Sequence, residues 1–137
     1  MKNIIDIIQL IFIALGGYLG WYIGGVDGFM YALILFVVVD YITGIMLAIL
    51  QRKLSSDIGF KGIFKKVLIF IMVAIGNTID VYIIGDGSAI RTAVIFFYIS
   101  NEGISIIENA ANIGLPIPKK LKDVLAQLGK SGEDNDQ

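Results

Sequence analysis

A chain of 137 residues has room for a single domain, and this one is 56% hydrophobic with a mean hydropathy of +0.79, well above the apolar share of a soluble domain. Its 11 basic and 12 acidic residues nearly cancel, so their placement says more than their sum. The absence of cysteine and histidine excludes disulfides, Cys or His metal centres and every nucleophile–His arrangement, and nothing in the residues points to an enzyme, a cofactor or a nucleic-acid partner.

Four apolar runs follow one another along the chain, at residues 7–23, 29–50, 67–84 and 89–107. Each is close to the ~20 residues that a helix needs to cross a ~30 Å hydrocarbon core. Backbone groups in lipid must be satisfied within the segment, so these are helices, and the fold class is all-α integral membrane. The first run is the weakest. Asp6 and Gln9 shorten its front, and three spans with an N-terminal surface segment are the alternative. A cleavable signal peptide fits poorly, because the n-region carries only one Lys where signal peptides usually show more charge.

The first run also carries Gly16, Gly20 and Gly24, glycines four apart that let two helix backbones approach closely, within the chain or between copies. It ends in a turn, Gly24-Gly25-Val26-Asp27-Gly28, that has no Lys or Arg. The second run holds Asp40 almost at its middle. After it comes a basic stretch with Arg52, Lys53, Lys61, Lys65 and Lys66. Within that stretch Phe60, Ile63, Phe64 and Val67 fall at helical spacing behind the N-cap types Ser55, Ser56 and Asp57. It reads as an interfacial helix on anionic lipid.

The third run places Asn77 and Asp80 in its outer half, and a second glycine turn, Gly85-Asp86-Gly87-Ser88, leads to Arg91. Arg91 is close enough across that turn to form a local ion pair with Asp80. Asn101 and Glu102 lie near the middle of the fourth run, and Asn101, Ser105, Glu108 and Asn112 share one helical face. Lys119, Lys120, Lys122 and Lys130 follow. Residues 114–128 read as a cytoplasmic amphipathic helix, with Leu121, Val124, Leu125 and Leu128 on one side, and 129–137 as a disordered polar tail. Positive charge in short loops stays cytoplasmic, which puts the middle loop and both termini inside and the two glycine turns outside.

Ionisable residues inside a span are functional candidates by default. Asp40 and Glu102 share roughly one depth, and by this reading no cation accompanies them. Two outcomes stay open: protonated carboxyls that hydrogen-bond between helices, or carboxylates facing water inside an oligomer.

The segments VVVDYITGIMLAILQRKLSSDIGFKGIFKKV (37–67) and YISNEGISIIENAANIGLPIPKKLKD (98–123), with Asp80 between them, resemble the toxin-secretion/phage-lysis holin family. The resemblance covers about two thirds of the chain and excludes the glycine-rich first helix. It implies a small protein that oligomerises in the bacterial cytoplasmic membrane and opens a lesion for an endolysin or, in some relatives, a toxin. By position it maps Asp40, Asp80, Asn101 and Glu102 onto the family's intramembrane polar sites. A small ion channel or transporter subunit, or a non-conducting scaffold, is the competing expectation. Either would share the buried carboxylates, but neither an inverted repeat nor a filter-like loop is visible.

Overall fold

The computed structural model describes residues 2–134. Among them the chain is all helical: α1 (Lys2–Ile23), α2 (Gly28–Leu50), α3 (Ser56–Thr78), α4 (Ala89–Ile113) and α5 (Lys119–Asp134), with α3 prolonged by a π-helical turn, Ile79–Ile84. Four of these helices are long and apolar enough to cross a membrane.

The boundaries follow from local chemistry. Asp27 caps α2 by accepting from the Met30 N–H at 2.9 Å, and Ser55 caps α3 by accepting from the Ile58 N–H at 3.3 Å. α4 stops at Gly114, whose φ of 115° lets its N–H and that of Leu115 turn back onto the Ala110 carbonyl. Pro116 and Pro118 then keep the chain extended, so that it reverses direction before α5.

α4 is the central element. It packs on α2, α3 and α5, while α1 packs on α3 and meets α4 at its end, through Ile23. The core joins Met30, Leu33 and Val37 of α2, Ile69 and Val73 of α3, and Ile95 and Ile99 of α4. Outside it, large apolar side chains lie open all round, Phe12 at 70% and Ile83 at 76% exposure among them. A water-soluble surface does not look like this; lipid is the solvent that suits it. At the end of the bundle that holds the two glycine turns, Tyr18, Trp21, Tyr22 and Tyr82 surround a cavity of about 550 Å³, and such amphipathic rings suit a membrane–water interface.

Two expected boundaries shift. The amphipathic stretch of residues 60–67 is the first part of α3 itself, not a separate surface helix, so the third membrane helix begins at Ser56. At the other end α5 continues past Leu128 to Asp134, and the remainder of the expected disordered tail, 135–137, lies outside the described residues. α5 also lies against α4 and not apart from it, with Leu125 buried.

Candidate functional site

The polar groups gather in two clusters, one midway along the helices and one at the end that holds the two glycine turns. Counting ~1.5 Å per residue from the last residues of α2 and α4 and the first of α3, Asp40, Lys66 and Glu102 all lie roughly 15 Å along, at one level of the bundle. Lys66 bridges the other two, donating from Nζ to Asp40 Oδ2 and to Glu102 Oε2, the latter at 2.6 Å. Asp40 Oδ1 accepts from Asn109 Nδ2 at 3.2 Å, and the same amide donates to Thr43 Oγ1 at 3.0 Å. One network thus ties three helices together.

Lys66 reaches this depth because α3 can approach α2 closely. Gly62 faces the Tyr41 ring so tightly that a Cβ there would lie 3.2 Å from Tyr41 Cε2, and the Tyr41 hydroxyl donates to the Gly59 carbonyl at 3.4 Å. The expectation that no cation shares the depth of Asp40 and Glu102 is therefore corrected. Lys66, read from the sequence as a membrane-surface residue, is the cation. Continuation of the helix through residue 67 carries it inward, past the exposed Lys61 and Lys65. Two carboxylates against one ammonium leave the network one negative charge in excess when all three are ionised. Lys66 also borders three cavities of about 210, 240 and 270 Å³, one shared with Asp40, Ser105 and Asn109 and another with Asn101 and Glu102.

In the cluster beside the glycine turns Arg91 is 3% exposed. Its Nε donates to the Ile23 carbonyl (2.8 Å), Nη2 to the Gly25 carbonyl (2.8 Å) and Nη1 to Asp27 Oδ2 (2.9 Å). It thereby satisfies the carbonyls at the end of α1, which would otherwise be orphaned. Asp80 accepts from the backbone N–H groups of Ile90 (3.1 Å) and Arg91 (2.8 Å) and so caps the start of α4. The expected Asp80–Arg91 side-chain pair gives way to this division of labour, because the guanidinium turns toward the α1–α2 turn while Asp80 meets the positive end of α4. Burial pushes the Asp27 carboxyl up, but the Met30 N–H and the Arg91 guanidinium outweigh it and hold Asp27 below its ordinary value.

The remaining predicted residues are placed as follows. Asn77 Nδ2 donates to the Tyr22 carbonyl at 3.2 Å. Asn101 and Glu108 are exposed and Ser105 is half-buried. Gly24, with φ of 97°, sits where a Cβ would lie 2.5 Å from Asn77 Oδ1, whereas Gly16 and Gly20 meet nothing within 4 Å in the single chain. Arg52, Lys53, Lys119, Lys120 and Lys122 are exposed. The partners Lys66, Asn109, Thr43 and Asp27 were not singled out for these roles by the sequence. The glycine pair Gly59 and Gly62 was the available signal for the first of them.

Among known proteins, the bacteriophage holin family's profile matches residues 17–130. An uncharacterised 14.9 kDa protein from the nagH 3′ region of Clostridium perfringens is 40% identical over 128 residues, covering 93% of this chain and 97% of its own. The Listeria monocytogenes protein Lmo0128 is 44% identical over 123 residues, 89% of this chain and 87% of its own. A protein of Bacillus phage phi105 named a probable holin is 38% identical over 100 residues, 73% of this chain and 71% of its own. No solved structure matches.

Proposed function

The chain belongs to the bacteriophage holin family, and from that premise we propose that it is itself a holin, acting without catalysis. In this reading it accumulates in the cytoplasmic membrane of a bacterium, assembles with further copies and opens a lesion. A cytoplasmic cell-wall hydrolase, or in some settings a toxin, leaves through it without needing to touch the holin. Basic residues Arg52 and Lys53 support a cytoplasmic α2–α3 turn, with the glycine turns outside.

The observation that carries the reading is the mid-depth network. With all three groups ionised, the negative charge in excess beside Asp40 and Glu102 is costly in lipid and is relieved where water reaches it. One small bundle encloses no such water, but several copies around a shared lumen do. Asn101 and Glu108, exposed on the single chain, support contact with water or with a neighbouring copy.

The test is induction in a bacterium that also expresses a muralytic enzyme lacking a signal peptide. The expected result is normal growth through a lag, then abrupt loss of membrane potential with release of the enzyme. A slow, graded ion leak with the enzyme retained at every expression level favours the small-channel reading and overturns this one.

A further inference from the structure

α5 is the one described element whose composition and position disagree. Leu125 is 6% exposed, and its carbonyl accepts from the buried Ser100 Oγ at 2.5 Å. Both Leu125 methyls fill the notch at Gly103, where a Cβ would lie 2.9 Å from each and 3.2 Å from the Phe36 ring. Farther along, Leu128 packs on the core cluster that holds Ile95 and Ile99. α5 therefore runs back along α4, from the inner turn at Gly114 toward the outer side. At ~1.5 Å per residue, the Ser100–Leu125 contact lies roughly 20 Å in from the inner end of α4, near the middle of the bilayer.

At ~1.5 Å per residue, the other side of α5 is polar from roughly 9 Å before Leu125, at Lys119, to roughly 8 Å beyond it, at Lys130. Lys119, Asp123 and Lys130 share one exposed face, with Lys120 and Lys122 beside it. Such a face cannot meet hydrocarbon. A surface-lying α5 would relieve the charges, but it would strip Ser100 of its acceptor and empty the Gly103 notch, which is shaped for Leu125.

Resting on the lesion reading above, we propose that α5 stays docked on α4 in the assembled state and that its Lys119–Asp123–Lys130 face lines the aqueous lumen that copies of this chain enclose. The exposed Leu121 and Val124 then form the flank turned toward the adjoining copy. The wall of the lesion is thus supplied by a re-entrant amphipathic helix. The end of α5 stands within the lumen, not in the cytoplasm to which loop charge alone assigns the C-terminus.

The chain has no cysteine, so a Gly103→Cys, Leu125→Cys double variant reports the docking directly. Under mild oxidation in cell membranes we expect an intramolecular disulfide in most copies, and enzyme release with the same onset as the reduced form. A disulfide that blocks release until it is reduced overturns the proposal, because α5 then has to leave α4. Failure of the pair to crosslink in inserted protein overturns it as well. Should the pair not accumulate, benzoylphenylalanine in place of Phe36, aromatic for aromatic, is expected to capture the α5 peptide in cells that are releasing enzyme, and capture of lipid alone sinks the idea. A wild-type chain that releases nothing defeats the lesion reading and this inference together, whereas release by wild type but not by the locked variant defeats this inference alone.

Discussion

Lys66 Nζ on α3 lies 2.6 Å from Glu102 Oε2 on α4 while also donating to Asp40 on α2, so a single ammonium holds three membrane helices at one depth. A buried ion cluster of this kind stabilises less than its contacts suggest, because each charge has lost its hydration. Breaking it is another matter.

Removing the cation leaves two carboxylates facing each other in a low-dielectric interior. Lys66→Met is expected to destabilise the bundle by about 3–5 kcal/mol, the usual cost of uncompensated buried charge. Adding Asp40→Asn and Glu102→Gln to Lys66→Met should recover most of that loss. Unfolding of the purified protein in mixed micelles measures both. Equal stability of the single and triple variants would show that the network carries no electrostatic weight.

The outer cluster predicts a pH dependence. Asp27 is held below its ordinary value in the folded chain, so the unfolded chain binds its proton first as pH falls. Its contribution is therefore complete above the ordinary Asp value of about 4 and is lost as pH drops through the lower folded value. Asp27→Asn keeps an acceptor for the Met30 N–H and removes the charge opposite Arg91. Helicity followed by circular dichroism in micelles should show a shallower acid limb for the variant below about pH 4. Parallel acid limbs would remove Asp27 from the account.

Much of this architecture is legible in the sequence, and the omissions have physical causes. Each long apolar run is a helix, because lipid leaves the backbone no alternative. Hydropathy breaks at the basic stretch while the helix does not, and this hides the depth of Lys66. Gly59 and Gly62 draw α3 onto Tyr41 and carry the lysine inward. Asp80 is the acid that a short turn brings near Arg91, yet α4 meets the α1–α2 turn in space, where three acceptors converge on the guanidinium. α5 shows the same limit, since amphipathic spacing reveals an apolar stripe but not which surface covers it.

Orientation is testable with single cysteines. At Asp27 and Gly87, in the two glycine turns, an impermeant thiol reagent should label intact cells before lysis. At Ser56, behind the basic turn, it should not. Labelling at Ser56 with protection of the other two positions would invert the topology.

The glycines of α1 separate folding of the chain from assembly of copies. No residue in the apolar stretch of α1 is buried, and a side chain added at Gly16 or Gly20 meets nothing within 4 Å. Gly24 differs, for its φ of 97° and the 2.5 Å approach of Asn77 Oδ1 leave no room for a side chain. Gly24→Ala should therefore disturb the fold of the single chain, seen as lost helicity or poor insertion. Gly20→Leu should leave insertion and helicity as they are, since leucine also favours the helix. If α1 uses its glycine face to meet another copy, that leucine holds the two backbones apart, and close packing is the main source of attraction between helices in lipid. Crosslinked oligomers should then fall sharply for Gly20→Leu, together with a delayed or absent release of the muralytic enzyme. Undiminished oligomers and an unchanged onset would show that copies meet through another surface and that α1 faces lipid along its length.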